Sequence, residues 1–102
     1  MNTDFDAWLE TAKEVGQDFL SDLNNDEREI ATACIKDMAS LKAKAIMSQP
    51  ATYGNEMALI ESTLQDLKAI VSLDVMKSLR ELARRSAGQV LPLIEGLFSK
   101  LI

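Results

Sequence analysis

The chain contains no histidine and a single cysteine, Cys34, among its 102 residues. That removes the usual donors of structural zinc sites, the base of Ser-His and Cys-His nucleophilic pairs, and any internal disulfide. No metal, cofactor or catalytic residue is expected. Two prolines and four glycines enforce few breaks, and aromatics make up only 5% of the chain, too few for an array of base-stacking rings. The longest stretch without charge, Ala45 to Asn55, includes Ser48, Gln49, Pro50 and Gly54, far from the ~18 apolar residues of a membrane span. The amino terminus reads Met1-Asn2-Thr3-Asp4-Phe5-Asp6, acidic where a secretion signal carries positive charge, and no apolar h-region follows. No signal peptide and no membrane span are expected, and an unpaired thiol suits a reducing cytoplasm.

What remains is a balance of 47% hydrophobic and 26% charged residues, suited to a single packed domain burying ~60–65% of its unfolded surface. From Phe5 to Leu23, the residues Phe5, Trp8, Leu9, Ala12, Val15, Phe19, Leu20 and Leu23 share one arc of a helix. Thr3 with Asp6 three residues on resembles a capping box at its start, and Asn24-Asn25 ends it. A second helix carries Ala31, Cys34, Met38, Leu41 and Ala45 at 3- and 4-residue steps, with Ile35 and Ile46 on a second edge. Its small side chains admit close neighbours. Gln49 to Gly54 is the strongest break, because Pro50 disfavours helix in the residue before it.

Beyond Asn55, a plausible cap, Met57, Ile60, Leu64, Leu67 and Val71 define a core helix. Near Ser72 the reading divides: Ser72 caps a new helix, or the chain continues, since Val71, Val75, Leu79 and Leu82 keep helical spacing through it; a break or kink is favoured. The segment beyond faces Val75, Met76, Leu79, Leu82 and Ala83 inward and ends at Gly88. The last segment places Val90, Leu91, Leu93, Ile94, Leu97, Phe98, Leu101 and Ile102 on one broad face, with Pro92 tolerable near its start. No stretch alternates with period two. The pattern predicts an all-α, single-domain bundle of four to five helices, over about 4–23, 26–48, 55–71, 73–87 and 89–102.

Charge is polarised. Residues 1–29 hold nine acids against Lys13 and Arg28, whereas the remainder has seven acids and nine bases. On the fourth helix Lys77, Arg80 and Arg84 share a face with Arg85 beside them; such a stripe docks an acidic partner, or is a solvated face paired with Glu81. Nucleic-acid binding is not expected from so sparse a basic patch. The acidic outer face of the first helix, with Asp6, Glu10, Glu14 and Asp18, suits a basic site on another protein or imitates a phosphate backbone. Glu10/Glu14 and Glu27/Glu29 are surface carboxylates rather than an acid–base pair, Cys34 a buried small hydrophobe, and Trp8 a core anchor. The apolar end of the chain, with Leu97, Phe98, Leu101 and Ile102, either caps the core, packs on another subunit or lies on a membrane surface; its single basic residue, Lys100, argues against the last.

The Ala-rich second helix, the Pro50 to Gly54 loop, the segment Ala58-Leu59-Ile60-Glu61-Ser62-Thr63-Leu64-Gln65-Asp66-Leu67-Lys68-Ala69 and the Leu-rich end together resemble small all-helical proteins of tailed phages and prophages, over roughly residues 26–102. The resemblance is one of pattern, and it implies a virion or assembly component without catalysis. Wide apolar arcs on every helix, more than so short a chain buries efficiently, point to self-association. The expectation is a non-enzymatic structural or assembly subunit, homo-oligomeric, located in the cytoplasm or a virion. The alternative is a small acidic protein that occupies a basic site on another protein.

Overall fold

In the computed structural model, which describes residues 3–16, 19–46 and 53–101 and, in the first of these, the side chains of 5–14, each helix forms where the apolar period placed one. The helices are α1 (Thr3–Gly16), α2 (Asn25–Ile46), α3 (Tyr53–Ile70), α4 (Leu73–Ser86) and α5 (Leu91–Leu101), the last entered through a 3-10 turn at Gly88–Val90. No strand occurs among the described residues. The fold is an all-α bundle of five helices. Its Cα radius of gyration, 12.5 Å, is near the ~13 Å expected for a folded chain of this length.

The core is assembled around α2, which packs against α3 on one side and α1 on the other. Ala31, Cys34, Ile35, Met38, Ala39 and Leu41 are fully buried, and three of these side chains are small, which lets the neighbouring backbones approach closely. Ile60, Leu64 and Leu67 answer from α3, Met76, Leu79, Leu82 and Ala83 from α4, and Ile94, Leu97 and Phe98 from α5. Trp8 and Ala12 bring α1 onto α4 and α2. The indole Nε1 of Trp8 is buried without a hydrogen-bond partner. This is a cost of roughly 1–3 kcal/mol that the burial of the large ring must offset. The second apolar edge proposed for α2 divides, since Ile35 is buried and Ile46 is 62% exposed.

The first helix departs from expectation. It ends at Gly16, not at Leu23, and residues 19–22 form a turn. Glycine is the weakest ordinary helix former, about 1 kcal/mol below alanine. The turn is held instead by Arg28, whose Nε donates to the Leu20 carbonyl at 2.9 Å and whose Nη2 donates to that of Leu23 at 3.2 Å. Phe19 and Leu23 still reach the core, so the apolar arc was right about burial and wrong about conformation.

Caps set the other boundaries. Asn24 and Glu27 form a reciprocal capping box at the start of α2: Glu27 N–H donates to Asn24 Oδ1 and Asn24 N–H to Glu27 Oε1, both at 2.9 Å. Asn55 does not cap α3, which already includes Tyr53 and Gly54. The capping role of the Thr3 side chain, the second helix beyond Ile46 and the Gln49 to Thr52 part of the break lie outside the described residues. Ser72 breaks the chain between α3 and α4 as expected, its Oγ accepting from Val75 N–H at 3.3 Å. At the other end of α4, Lys42 of α2 donates its ammonium to the Ser86 carbonyl at 3.1 Å, placing a cation where the helix dipole is negative. Gly88 then turns the chain with φ +60°, a left-handed conformation costly for other residues.

Gly88→Ala is therefore expected to lose about 1–2 kcal/mol through backbone strain, since a Cβ there meets only an ordinary contact with the Lys42 side chain at 3.5 Å. Gly96→Ala, in the exposed interior of α5 where a Cβ meets nothing within 4 Å, is expected to gain about 0.5–1 kcal/mol. Urea unfolding of the two variants against the unaltered protein measures both.

Candidate functional site

The apolar carboxy-terminal segment is mostly interior. Leu97 and Phe98 are 3% and 0% exposed. They are core residues and not an interface, because α5 packs on α3 and α4 and its arc covers the end of the bundle. Leu101 is half-buried against the same core, and Ile102 lies outside the described residues. Leu93 alone among the described residues of this arc turns well outward, at 37%.

The basic stripe of α4 is largely neutralised within the molecule. Arg80 donates from Nε and Nη2 to Glu95 Oε2 at 3.1 and 2.8 Å, and Arg84 Nε donates to Glu95 Oε1 at 2.8 Å. Glu81 lies 3.8 Å from Arg84 and 3.6 Å from Arg85. Glu95 comes from α5, fifteen residues beyond Arg80, so this pairing was invisible to a reading of α4 alone. The hydrogen bonds from Arg80, opposed by burial and aided by the hydrogen bond from Arg84 and the charges of both arginines, hold the Glu95 carboxyl below its ordinary range. Only Lys77 on this face is exposed and unpaired among the described residues. Arg85 is exposed as well, its pair with Glu81 being a surface one, so Lys77 and Arg85 are what the stripe leaves open while Arg80 and Arg84 are engaged by Glu95.

Two titratable groups are shifted where α2 faces α3, Cys34 in the core and Asp37 half-buried. Burial pushes the Cys34 thiol up to about 12, with a hydrogen bond to Thr63 opposing. Such a thiol is unreactive at neutral pH. Asp37 is raised above the ordinary carboxylate range by burial and then by the charge of Glu56. Glu56 is buried and pairs with Lys44 Nζ at 2.7 Å, tying α2 to α3. No group of three or more metal-ligating side chains forms among the described residues.

The outer face of α1 is the charged surface left open. Asp6, Glu10 and Glu14 are exposed, and Asp18 lies outside the described residues. Glu10 has Lys13 3.7 Å away, with both side chains more than 60% exposed, a pairing of little energetic weight. From residue 5 to residue 29 the described side chains include seven carboxylates and two cations, and one of those cations, Arg28, is engaged with backbone carbonyls. Beside α1 lies a cleft of about 480 Å³ lined by Leu9, Ala12, Phe19 and Leu20, with Asp6, Glu10, Lys13 and Arg28 around it. Ala12 and Phe19 are core residues as the periodicity placed them, while Leu9 and Leu20 are only half-buried, and the periodicity did not show the cleft that these four line.

A second surface was also missed. Leu59 and Ile70 of α3 are 50% and 47% exposed, and Leu73 at the start of α4 is 55% exposed. Leu59 and Ile70 stand eleven residues apart, close to three turns, and so share one side of the helix. That spacing is readable in the sequence, but the stronger stripe of Ile60, Leu64 and Leu67 hid it. Among the described residues no helix is long and apolar enough to cross a membrane.

Comparison of the chain with protein-family models, with curated proteins and with solved structures finds no match.

Two predictions follow from the shifted carboxylates. Glu95 is favoured in its charged form by folding, so its contribution is present above the ordinary glutamate range and is lost as pH falls through its lowered folded value. Glu95→Gln should cost about 1 kcal/mol near neutral pH, as expected for one carboxylate shared by two guanidinium groups, and the difference from the unaltered protein should vanish in acid. Asp37 has the opposite sign: its charged form opposes folding, and that cost is removed as pH falls through its raised folded value. Asp37→Asn should stabilise at neutral pH on the order of 0.5 kcal/mol, with the gain shrinking towards acid. Urea unfolding over a pH series reads both.

Proposed function

We propose that the protein is a non-enzymatic interaction module that engages a basic surface on another protein through the acidic outer face of α1. The single observation that carries this reading is the contrast between the two charged faces. The arginines of α4 meet Glu81 and Glu95 within the molecule, whereas Asp6 and Glu14 stand exposed and Glu10 has only a weak surface pair. A predominantly acidic face, here with Lys13 as its cation, steers association with an oppositely charged partner and disfavours like-charged surfaces, nucleic acid and anionic membrane included. The absence of catalysis is part of the proposal. It is supported by the placement of the shifted groups, Cys34 and Asp37, between α2 and α3 and away from the cleft.

A second reading, a homo-oligomeric structural or assembly subunit of the virion or prophage kind, is favoured by one specific feature, the exposed Leu59, Ile70 and Leu73. An apolar patch of this sort is a self-association surface in many subunits. The burial of Leu97 and Phe98 in the core leaves less apolar surface for self-association than wide arcs on every helix suggested, which is why this reading stands second.

Light scattering after gel filtration at low and high salt separates the two. A monomer under both conditions is the expected result for a module awaiting a foreign partner. A defined oligomer that persists in high salt and is dispersed by Leu59→Glu with Ile70→Glu would replace it with the assembly reading.

A further inference from the structure

The acidic face has an apolar neighbour. The cleft is lined by Leu9, Ala12, Phe19 and Leu20, and its volume of about 480 Å³ is within the range that accommodates a ligand or a large side chain. Arg28 of α2 also lines it, anchored to the Leu20 and Leu23 carbonyls, so the turn is tied to the start of α2. Asp6, Glu10 and Lys13 complete its charged lining, Lys13 in a loose surface pair with Glu10 at 3.7 Å, and Glu14 follows one turn beyond Glu10 on α1. Their four-residue spacing sets the three carboxylates about 6 Å apart along the helix axis. Lysines or arginines at the same spacing on a second helix would match that row in register. An apolar floor beside a row of carboxylates suits a partner that carries both features on one face. A neutral apolar segment would leave the carboxylates without partners, and an extended basic chain would leave the floor uncovered.

Resting on the acidic-face reading above, we infer that the cleft seats one large apolar side chain of a basic amphipathic helix in the partner, while that helix's cations face Asp6, Glu10 and Glu14. Arg28 is a positioning residue in this arrangement, since it fixes the turn that carries Leu20 and Phe19.

The test uses a fluorescently labelled synthetic helix of about four turns made of lysine and leucine, with leucines at helical spacing on one side, and a control peptide in which serine replaces leucine. Anisotropy titrations at low salt compare the unaltered protein with Leu9→Glu, Leu20→Glu and the triple variant Asp6→Asn, Glu10→Gln, Glu14→Gln. Leu9→Glu and Leu20→Glu each add a carboxylate, so attraction by charge alone predicts equal or tighter binding. Occupation of the cleft predicts at least a tenfold loss in both, and for the serine peptide weak binding that neither variant reduces. Circular dichroism confirms that each variant folds, and two independent cleft positions keep the test decisive if one does not.

Leucine–lysine peptide binding undiminished by either cleft variant but lost in the triple variant overturns the cleft and leaves the acidic face standing. Binding undiminished in the triple variant overturns the acidic-face reading and the inference that rests on it. No binding of the leucine–lysine peptide to the unaltered protein overturns both.

Discussion

The packing of α2 between α1 and α3 is the constraint from which the other features follow. A 22-residue helix that buries Ala31, Cys34, Ile35, Met38, Ala39 and Leu41 has apolar surface on more than one side, so a single neighbour cannot cover it. Small side chains at Ala31, Cys34 and Ala39 let the flanking helices approach closely, and close approach raises the contact made by every larger residue around them. The polar ties of α2 reinforce this position. Lys44 reaches Glu56 on α3, and Lys42 reaches the carbonyl end of α4. Arg28, near the start of α2, organises the turn that precedes it. One helix thus determines where α1 can lie, how α4 ends and what shape the surface takes beside α1.

That arrangement distributes charge unequally. Packing α5 on α4 delivers Glu95 to the arginines, and the basic face is thereby neutralised by a residue distant in sequence. The cations that approach α1 do so differently: Lys36 of α2 lies over the Phe5 ring, 5.3 Å from its centroid, and Arg28 lines the cleft, while Asp6, Glu10 and Glu14 stay exposed. The α2–α3, α1–α4, α3–α5 and α4–α5 contacts hold the bundle, while the carboxylates of α1 and the Leu59–Ile70 stripe remain exposed.

The period of apolar residues made the five helices legible, because a 3- and 4-residue step has few other physical meanings. Ser72 and Gly88 were legible as well, each through chemistry local to a few residues: a hydroxyl that accepts from a backbone N–H, and a backbone that tolerates positive φ. The pair Asn24 and Glu27 carries the same kind of local signal, three residues apart, although Asn24 was taken for the end of the first helix. The extent of α1 was not legible. Phe19 and Leu23 are four residues apart and suit a continued helix as well as they suit the turn actually formed, and only Arg28, bonding across the turn, distinguishes the two. Burial of Leu97 and Phe98 against the alternative of an exposed contact face was equally undetermined, since an apolar arc states that something must cover it but not what.

By itself, then, the sequence determined the helical class, the inward arcs, the lack of histidine chemistry and the acidic character of the first 29 residues, and at Ser72 it offered a cap without deciding between a break and a continuous helix. Each is a property of composition or of neighbours within a turn. Only tertiary structure decided that Glu95 pairs with Arg80 and Arg84, that α1 stops at Gly16, that Asp37 is raised by burial and Glu56, and that a cleft opens between Leu9 and Leu20. Those outcomes depend on distances between residues separated along the chain, and such distances are set by how helices pack, which no local pattern encodes.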